Sequence, residues 1–307
     1  MEKTNSQPSI KLFSLYWEIK TILYLGTLLL SSGLAILIYK NIDTIGHQII
    51  LLLIAAVCAG SFLYCFKNKL PFKISKVLPP NSFFDYVLLL GSFTLITFIG
   101  YLQFQYGVFG NRYGLATFIP MLVLFFTAYY FDHVGILCMA ITALAGWAGI
   151  TVTPVTILQK NDFNNESIIF TAFVLAILLL AAGYFSVKRH VKNHFEFTYN
   201  NVGTHLLFIS TLAAMFHFEK VYLLFFLLLG GISFFYYKIA LKKKSFYFLL
   251  VFSLYFYLGL SYTVINLLFF ELDAEMGGIY LSFIYFIASA VGIIMFLISM
   301  NKKLKLL

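Results

Sequence analysis

The stretch FGNRYGLATFIPMLVLFFTAYYFDHVGILCMAITALAGWAGITVTP, residues 109–154, decides the fold. Residues 114–131 and 134–152 are two apolar runs without a single charged side chain, and only Asp132 and His133 separate them. A helix needs about 20 predominantly apolar residues to cross a bilayer's hydrocarbon core, and each run meets that length. Two such runs joined by two polar residues predict a tight helical hairpin, with Asp132 and His133 as its polar turn.

The same pattern extends in both directions. Apolar runs fall at 21–39, 48–66, 86–104, 114–131, 134–152, 168–187, 202–216, 221–237, 246–270 and 277–300. They predict an all-α, polytopic transmembrane helical bundle of about ten spans. The seventh run, 202–216, is the shortest and contains His205, so it carries the weakest signal. Composition agrees: 61% of the 307 residues are hydrophobic, 11% are charged, and mean hydropathy is +0.91. Soluble domains carry about 25% charged residues, so this inventory cannot build a water-facing surface.

Charge placement sets the orientation. With the N-terminus inside and ten alternating spans, inner segments hold 17 of the 21 Lys and Arg residues. Only Lys40, Arg112, Lys160 and Lys220 fall outside, as the bias of basic residues toward cytoplasmic loops requires. Both termini are therefore predicted to be cytoplasmic. The net charge of +9 is accounted for by these span-flanking lysines, and no nucleic-acid partner is expected. The expected organisation is a cytoplasmic amphipathic segment at 1–20, a transmembrane domain at 21–300 and a basic tail at 301–307. Residues 1–20 lack an early apolar core and a small-residue cleavage site, so the first run reads as a retained helix. Residues 8–20 and 67–85 mix lysines with apolar side chains and read as interfacial segments, the second equally as an ordinary inner loop.

Chemistry-bearing residues are few. His205 is the one ionisable side chain found inside the ten runs, which disfavours proton pumps and charged pores. Zinc, phosphate-loop and nucleophile-elbow motifs are missing, and no catalytic, cofactor or metal residue is expected. His190 and His194 have ligand-like spacing, but Lys188, Arg189 and Lys192 surround them, and a solvated loop is the simpler reading. Cys58, Cys65 and Cys138 lie inside apolar runs and read as packing residues. In the fifth run, Thr142 with Gly146 and Ala145 with Gly149 form small-x-x-x-small pairs, predicting close helix approach and a central position. The loop QYGVFGNRYG, 105–114, places Arg112 among glycines between Tyr106 and Tyr113. Arg112, Tyr113 and Tyr106 are the candidate contacts for an anionic headgroup or ligand, with surface anchoring as the alternative.

Residues 109–154, together with LGTLLLSSGLAILIYKNID (25–43) and DYVLLLGSF (85–93), resemble an uncharacterised family of bacterial membrane proteins, the 2157 domain-of-unknown-function group. The resemblance implies a bacterial inner-membrane protein and no particular activity. The family's aromatic after the first-span asparagine is replaced here by Asn41-Ile42-Asp43. A similarity between 25–38 and 90–103 reads either as a duplication or as a shared apolar alphabet. Three functions fit: an accessory or scaffold subunit with a protein partner in the lipid bilayer; a carrier for an apolar, zwitterionic or lipid-like solute; and a transferase acting on lipid-linked substrates. The first is preferred because buried charge is scarce, and the last ranks lowest because the outer face offers Arg112 with few partners.

Overall fold

The computed structural model describes residues 15–152, 165–271 and 275–306. Ten α-helices account for most of them: α1 Leu15–Ile45, α2 His47–Asn68, α3 Ser82–Tyr106, α4 Tyr113–Phe131, α5 Val134–Val152, α6 Glu166–Lys188, α7 Glu196–His217, α8 Tyr222–Lys242, α9 Phe246–Asn266 and α10 Glu275–Leu306. There is no strand among the described residues. Nine of the helices are long and apolar enough to cross a membrane, α7 being the exception. The chain is an all-α, multi-pass helical bundle.

Each helix boundary has a local cause. Gly46, at φ 82°, allows α1 to reverse into α2 through one residue. Gly107 closes α3 in the left-handed conformation, its N–H bonding to the Gln103 carbonyl at 3.0 Å. Asp132 closes α4 at φ 62°, a conformation that Asp tolerates better than most residues. His133 then starts α5, its Nδ1 accepting the Ile136 N–H at 3.2 Å. Asn81 and Asn165 cap α3 and α6 through their side-chain oxygens.

The helices form two compact units, residues 1–147 and 148–307. In the first, α2 packs on α3 where Gly91 meets Ser61 and Phe62. In the second, α7 is the hub, with Thr198, Tyr199, Thr204, Leu207, Phe208, Thr211 and Met215 all buried. Glycines permit the approach. A Cβ on Gly183 of α6 would lie 2.7 Å from Asn200 Oδ1, and one on Gly203 of α7 would lie 3.0 Å from Leu180. Ser261–Tyr285 and Tyr257–Ser289 hydrogen bonds, each 3.0 Å, join α9 to α10.

The structure corrects some expectations and leaves others open. The weak seventh run is a helix of 22 residues and the most enclosed in its unit; polar residues lowered its apolar signal because they face neighbouring helices. Residues 69–81 form a non-helical loop whose Leu70, Phe72 and Ile74 are exposed, and Lys69 lies 4.1 Å from the Tyr130 ring centroid. The Thr142–Gly146 pair does not bring helices together, since a Cβ on Gly146 meets nothing within 4 Å and Thr142 is exposed. The loop at 189–195 is not simply solvated: Lys192 is 1% exposed, and the Ser186 hydroxyl donates to Val191 and Lys192 carbonyls. The similar segments 25–38 and 90–103 both lie in the first unit, in α1 and α3. Of the interfacial segment at 8–20, residues 15–20 continue into α1, and the rest lies outside the described residues, as does most of the 153–167 loop.

Candidate functional site

The 105–114 loop is more ordered than its glycines suggest. The Gln103 side chain clamps it twice, donating to the Gly110 carbonyl and accepting the Phe109 N–H, both at 2.9 Å. Below the loop, α3, α4 and α5 enclose a groove of about 930 Å³. Its walls include Phe93, Ile96 and Phe104 of α3, Ala116 and Pro120 of α4, and Met139 and Gly146 of α5. Gln103, Asn111, Thr117 and Thr142 supply uncharged polar groups. Pro120 has no N–H, so the Ala116 carbonyl loses its usual helical donor beside the groove.

Of the three predicted contact residues, Tyr113 lines this groove, whereas Tyr106 and Arg112 do not. All three are exposed, Tyr106 at the end of α3 and Arg112 immediately before α4. Thr142 and Gly146 of α5 therefore shape a cavity wall instead of a helix contact. Cys138, expected as packing, also lies on that wall and is exposed. Cys58 and Cys65 do pack, half-buried and buried respectively.

A second polar cluster is built on α7. His205 Nδ1 lies 2.9 Å from the Tyr255 hydroxyl, and its Nε2 lies 2.7 Å from the Tyr247 hydroxyl. Tyr247 also bonds to Asn201 Oδ1. These partners fix the directions: the carbonyl of Asn201 only accepts, so Tyr247 donates to it. With that proton committed, Tyr247 accepts from His205 Nε2–H, and Tyr255 donates to Nδ1. The result is a one-way chain from Tyr255 through His205 and Tyr247 to Asn201. Nearby, Asn200 donates to Glu196 at 3.1 Å and Lys243 pairs with Glu196 at 2.8 Å. Thr204 bonds to Tyr236 at 2.8 Å. The sequence exposes His205 as an intramembrane histidine; its tyrosine partners come from α9, 42 and 50 residues later, and no local pattern marks them.

The third cluster joins Asp85, at the start of α3, to His133 of the α4–α5 turn. Both are buried, and His133 Nε2 lies 3.8 Å from Asp85 Oδ1, beyond hydrogen-bond length. Burial pushes His133 down to about 4, the Lys20 charge adds to the effect, and Asp132 opposes it. His133 is therefore a neutral cap residue, its Nδ1 occupied by Ile136. Asp132 accepts the Val77 N–H at 2.5 Å, which ties the 69–81 loop to this turn. The turn was legible as polar, but its enclosure depends on α3, which the sequence does not place beside it.

No group of three or more His, Cys, Asp or Glu side chains arranged for a metal occurs among the described residues. His190 is exposed in a left-handed conformation, and His194 packs against Phe195 at 4.6 Å between centroids. These features define the class: a multi-pass membrane protein with a laterally walled apolar groove and one internal histidine network. Compared with protein-family models, curated proteins and solved structures, the chain matches none.

Proposed function

We propose that this protein binds a lipid-like amphiphile and acts as a carrier for it, with the chain of the amphiphile in the α3–α5 groove and its headgroup at the 107–113 loop. One observation carries this reading: a groove of about 930 Å³ with apolar walls and a rim of uncharged polar groups ends beneath the loop that holds Arg112. Its volume lies within the usual range for ligand sites, about 300–1,000 Å³. Arg112, Tyr113 and Tyr106 then contact an anionic headgroup, for which a guanidinium is well suited. This reading ranks the carrier above the accessory subunit that composition alone preferred.

The proposal includes a setting: the inner membrane of a bacterium, both termini cytoplasmic, and kinship with the 2157 domain-of-unknown-function group, which rests on the resemblance of residues 109–154, 25–43 and 85–93. Lysine placement supports the orientation.

Cys138 provides a reporter, being exposed on the groove wall. In delipidated protein, a lipophilic maleimide should label Cys138, and added phosphatidylglycerol should slow that labelling severalfold. Gly146→Phe, which fills open space, should remove both the protection and the lipid retained in native mass spectrometry. Labelling indifferent to lipid, in protein that retains none, overturns the proposal.

The accessory-subunit reading keeps one supporting observation. Residues 19–37 of α1 and 279–300 of α10 contain no buried residue, leaving two long apolar stretches available to a protein partner in the membrane. A stoichiometric protein co-purifying from the source membrane, lost when α1 or α10 is altered, would favour it.

A further inference from the structure

A second groove, of about 610 Å³, lies in the C-terminal unit between α8, α9 and α10. No charged residue lines it, and its walls carry aromatic rings, among them Phe234, Tyr237, Phe252, Phe256 and Phe296. Such walls suit a flat, uncharged ring and give a charged headgroup no counter-ion. Ser233, 5% exposed, also lies on the wall. Its hydroxyl has no hydrogen-bond partner.

That isolation departs from how serines behave elsewhere in this chain. Ser92, Ser210, Ser253 and Ser282 each donate to the carbonyl three or four residues back in their own helices. Such back-bonding is the ordinary way a serine satisfies itself inside a membrane helix. Ser233 does not do so, although an unpaired buried hydroxyl is costly. Across the groove, Ser253 commits its proton to Leu249 at 2.7 Å. Tyr257 and Ser289 satisfy each other at the α9–α10 side at 3.0 Å. The groove thus offers a buried, uncommitted donor against aromatic walls.

We propose that this groove binds an uncharged, ring-bearing membrane lipid whose ring oxygen accepts the Ser233 proton, the chemistry of an isoprenoid quinone. A quinone ring is flat and has carbonyl acceptors at its edge. Its isoprenoid tail leaves along the lipid-facing side without needing a polar partner. A diacyl phospholipid lacks the ring, and Lys238, whose Nζ lies 4.5 Å from the Phe234 ring centroid, is not among the groove-lining residues.

The test uses full-length protein in lipid nanodiscs and a benzoquinone carrying a diazirine on a short isoprenoid tail. After illumination, adducts are mapped by peptide mass spectrometry. The expected result is labelling within α8, α9 and α10, competed by excess unlabelled short-chain benzoquinone. Ser233→Ala should cut labelling about five- to tenfold, the worth of one hydrogen bond. Gly230→Leu should abolish it by filling the groove, where an added Cβ meets only Phe256 at 3.9 Å. Melting temperature separates these effects from misfolding, because Ser233→Ala removes an unsatisfied hydroxyl and should leave stability equal or higher. Labelling unchanged by both folded variants overturns the proposal, as does competition by phosphatidylglycerol equal to that by the quinone. Because this groove is distinct from the α3–α5 groove, failure here leaves the Cys138 experiment untouched.

Discussion

The direction of the His205 chain makes Tyr247 the costlier of its two tyrosines to lose. Tyr247→Phe removes one oxygen but strands two groups, the His205 Nε2–H that it accepts at 2.7 Å and the Asn201 carbonyl to which it donates. Tyr255→Phe strands only His205 Nδ1. An abandoned buried polar group costs about 1–3 kcal/mol. Measured couplings between polar side chains in membrane bundles are smaller, averaging about 0.6 and reaching about 1.7 kcal/mol. Since His205 is only partly buried, the low end applies. Tyr247→Phe should therefore cost roughly 2 kcal/mol and Tyr255→Phe roughly 1 kcal/mol. In a double-mutant cycle, Tyr247→Phe with Asn201→Val should show about 1 kcal/mol of coupling, because each single change already breaks the shared bond. Equilibrium unfolding by dodecyl sulfate, followed by far-ultraviolet circular dichroism, measures all four species. Equal costs for the two tyrosines, or additive behaviour of Tyr247 and Asn201, would refute the one-way chain.

Other consequences concern packing, pH and the loop. Gly183→Ala should destabilise by roughly 1–3 kcal/mol, its Cβ falling 2.7 Å from Asn200 Oδ1, whereas Gly146→Ala, with open space around it, should be neutral or mildly stabilising in thermal melts. His133 is held neutral in the fold down to about pH 4 while the unfolded chain protonates near its ordinary value of 6.5. Its contribution is complete above pH 6.5 and is lost as pH falls, reaching about 3 kcal/mol at pH 4. His133→Asn, which retains a side-chain acceptor for the cap, should flatten that part of the stability–pH curve. Gln103→Leu deletes both clamps on the 105–114 loop and should hasten its proteolysis in detergent, and under the proposed carrier function it should weaken retention of added phosphatidylglycerol.

Helix number and placement were legible because hydrocarbon thickness imposes a length that composition alone reveals, as 114–131 and 134–152 illustrate. The same logic misjudged α7. A helix surrounded by other helices is free to carry Asn200, Asn201, Thr204 and His205, and each of them lowers the signal for spanning. The site was legible only in part. Glycines and an arginine marked the loop of Tyr113, which lines the groove, but the groove itself depends on how α3, α4 and α5 splay. The Thr142–Gly146 spacing shows why: small residues allow a close helix approach, and they equally allow an empty wall, and only the neighbouring helix decides which.

The two units use their polar residues differently, and this separates their roles. In the C-terminal unit, Asn201, Tyr247, His205 and Tyr255 form one chain between α7 and α9, and Thr204 bonds to Tyr236 of α8. A network whose members are committed to one another has little left for a ligand, so its natural role is to fix how these helices pack. Ser233, one turn from Tyr236 on α8, is left out of it, and for that reason it is the better ligand candidate in this unit. In the N-terminal unit, the polar groups of the α3–α5 groove bind a loop or line an open wall instead of one another. Disabling the histidine network should therefore lower stability before it alters what the protein binds, and filling either groove should do the reverse.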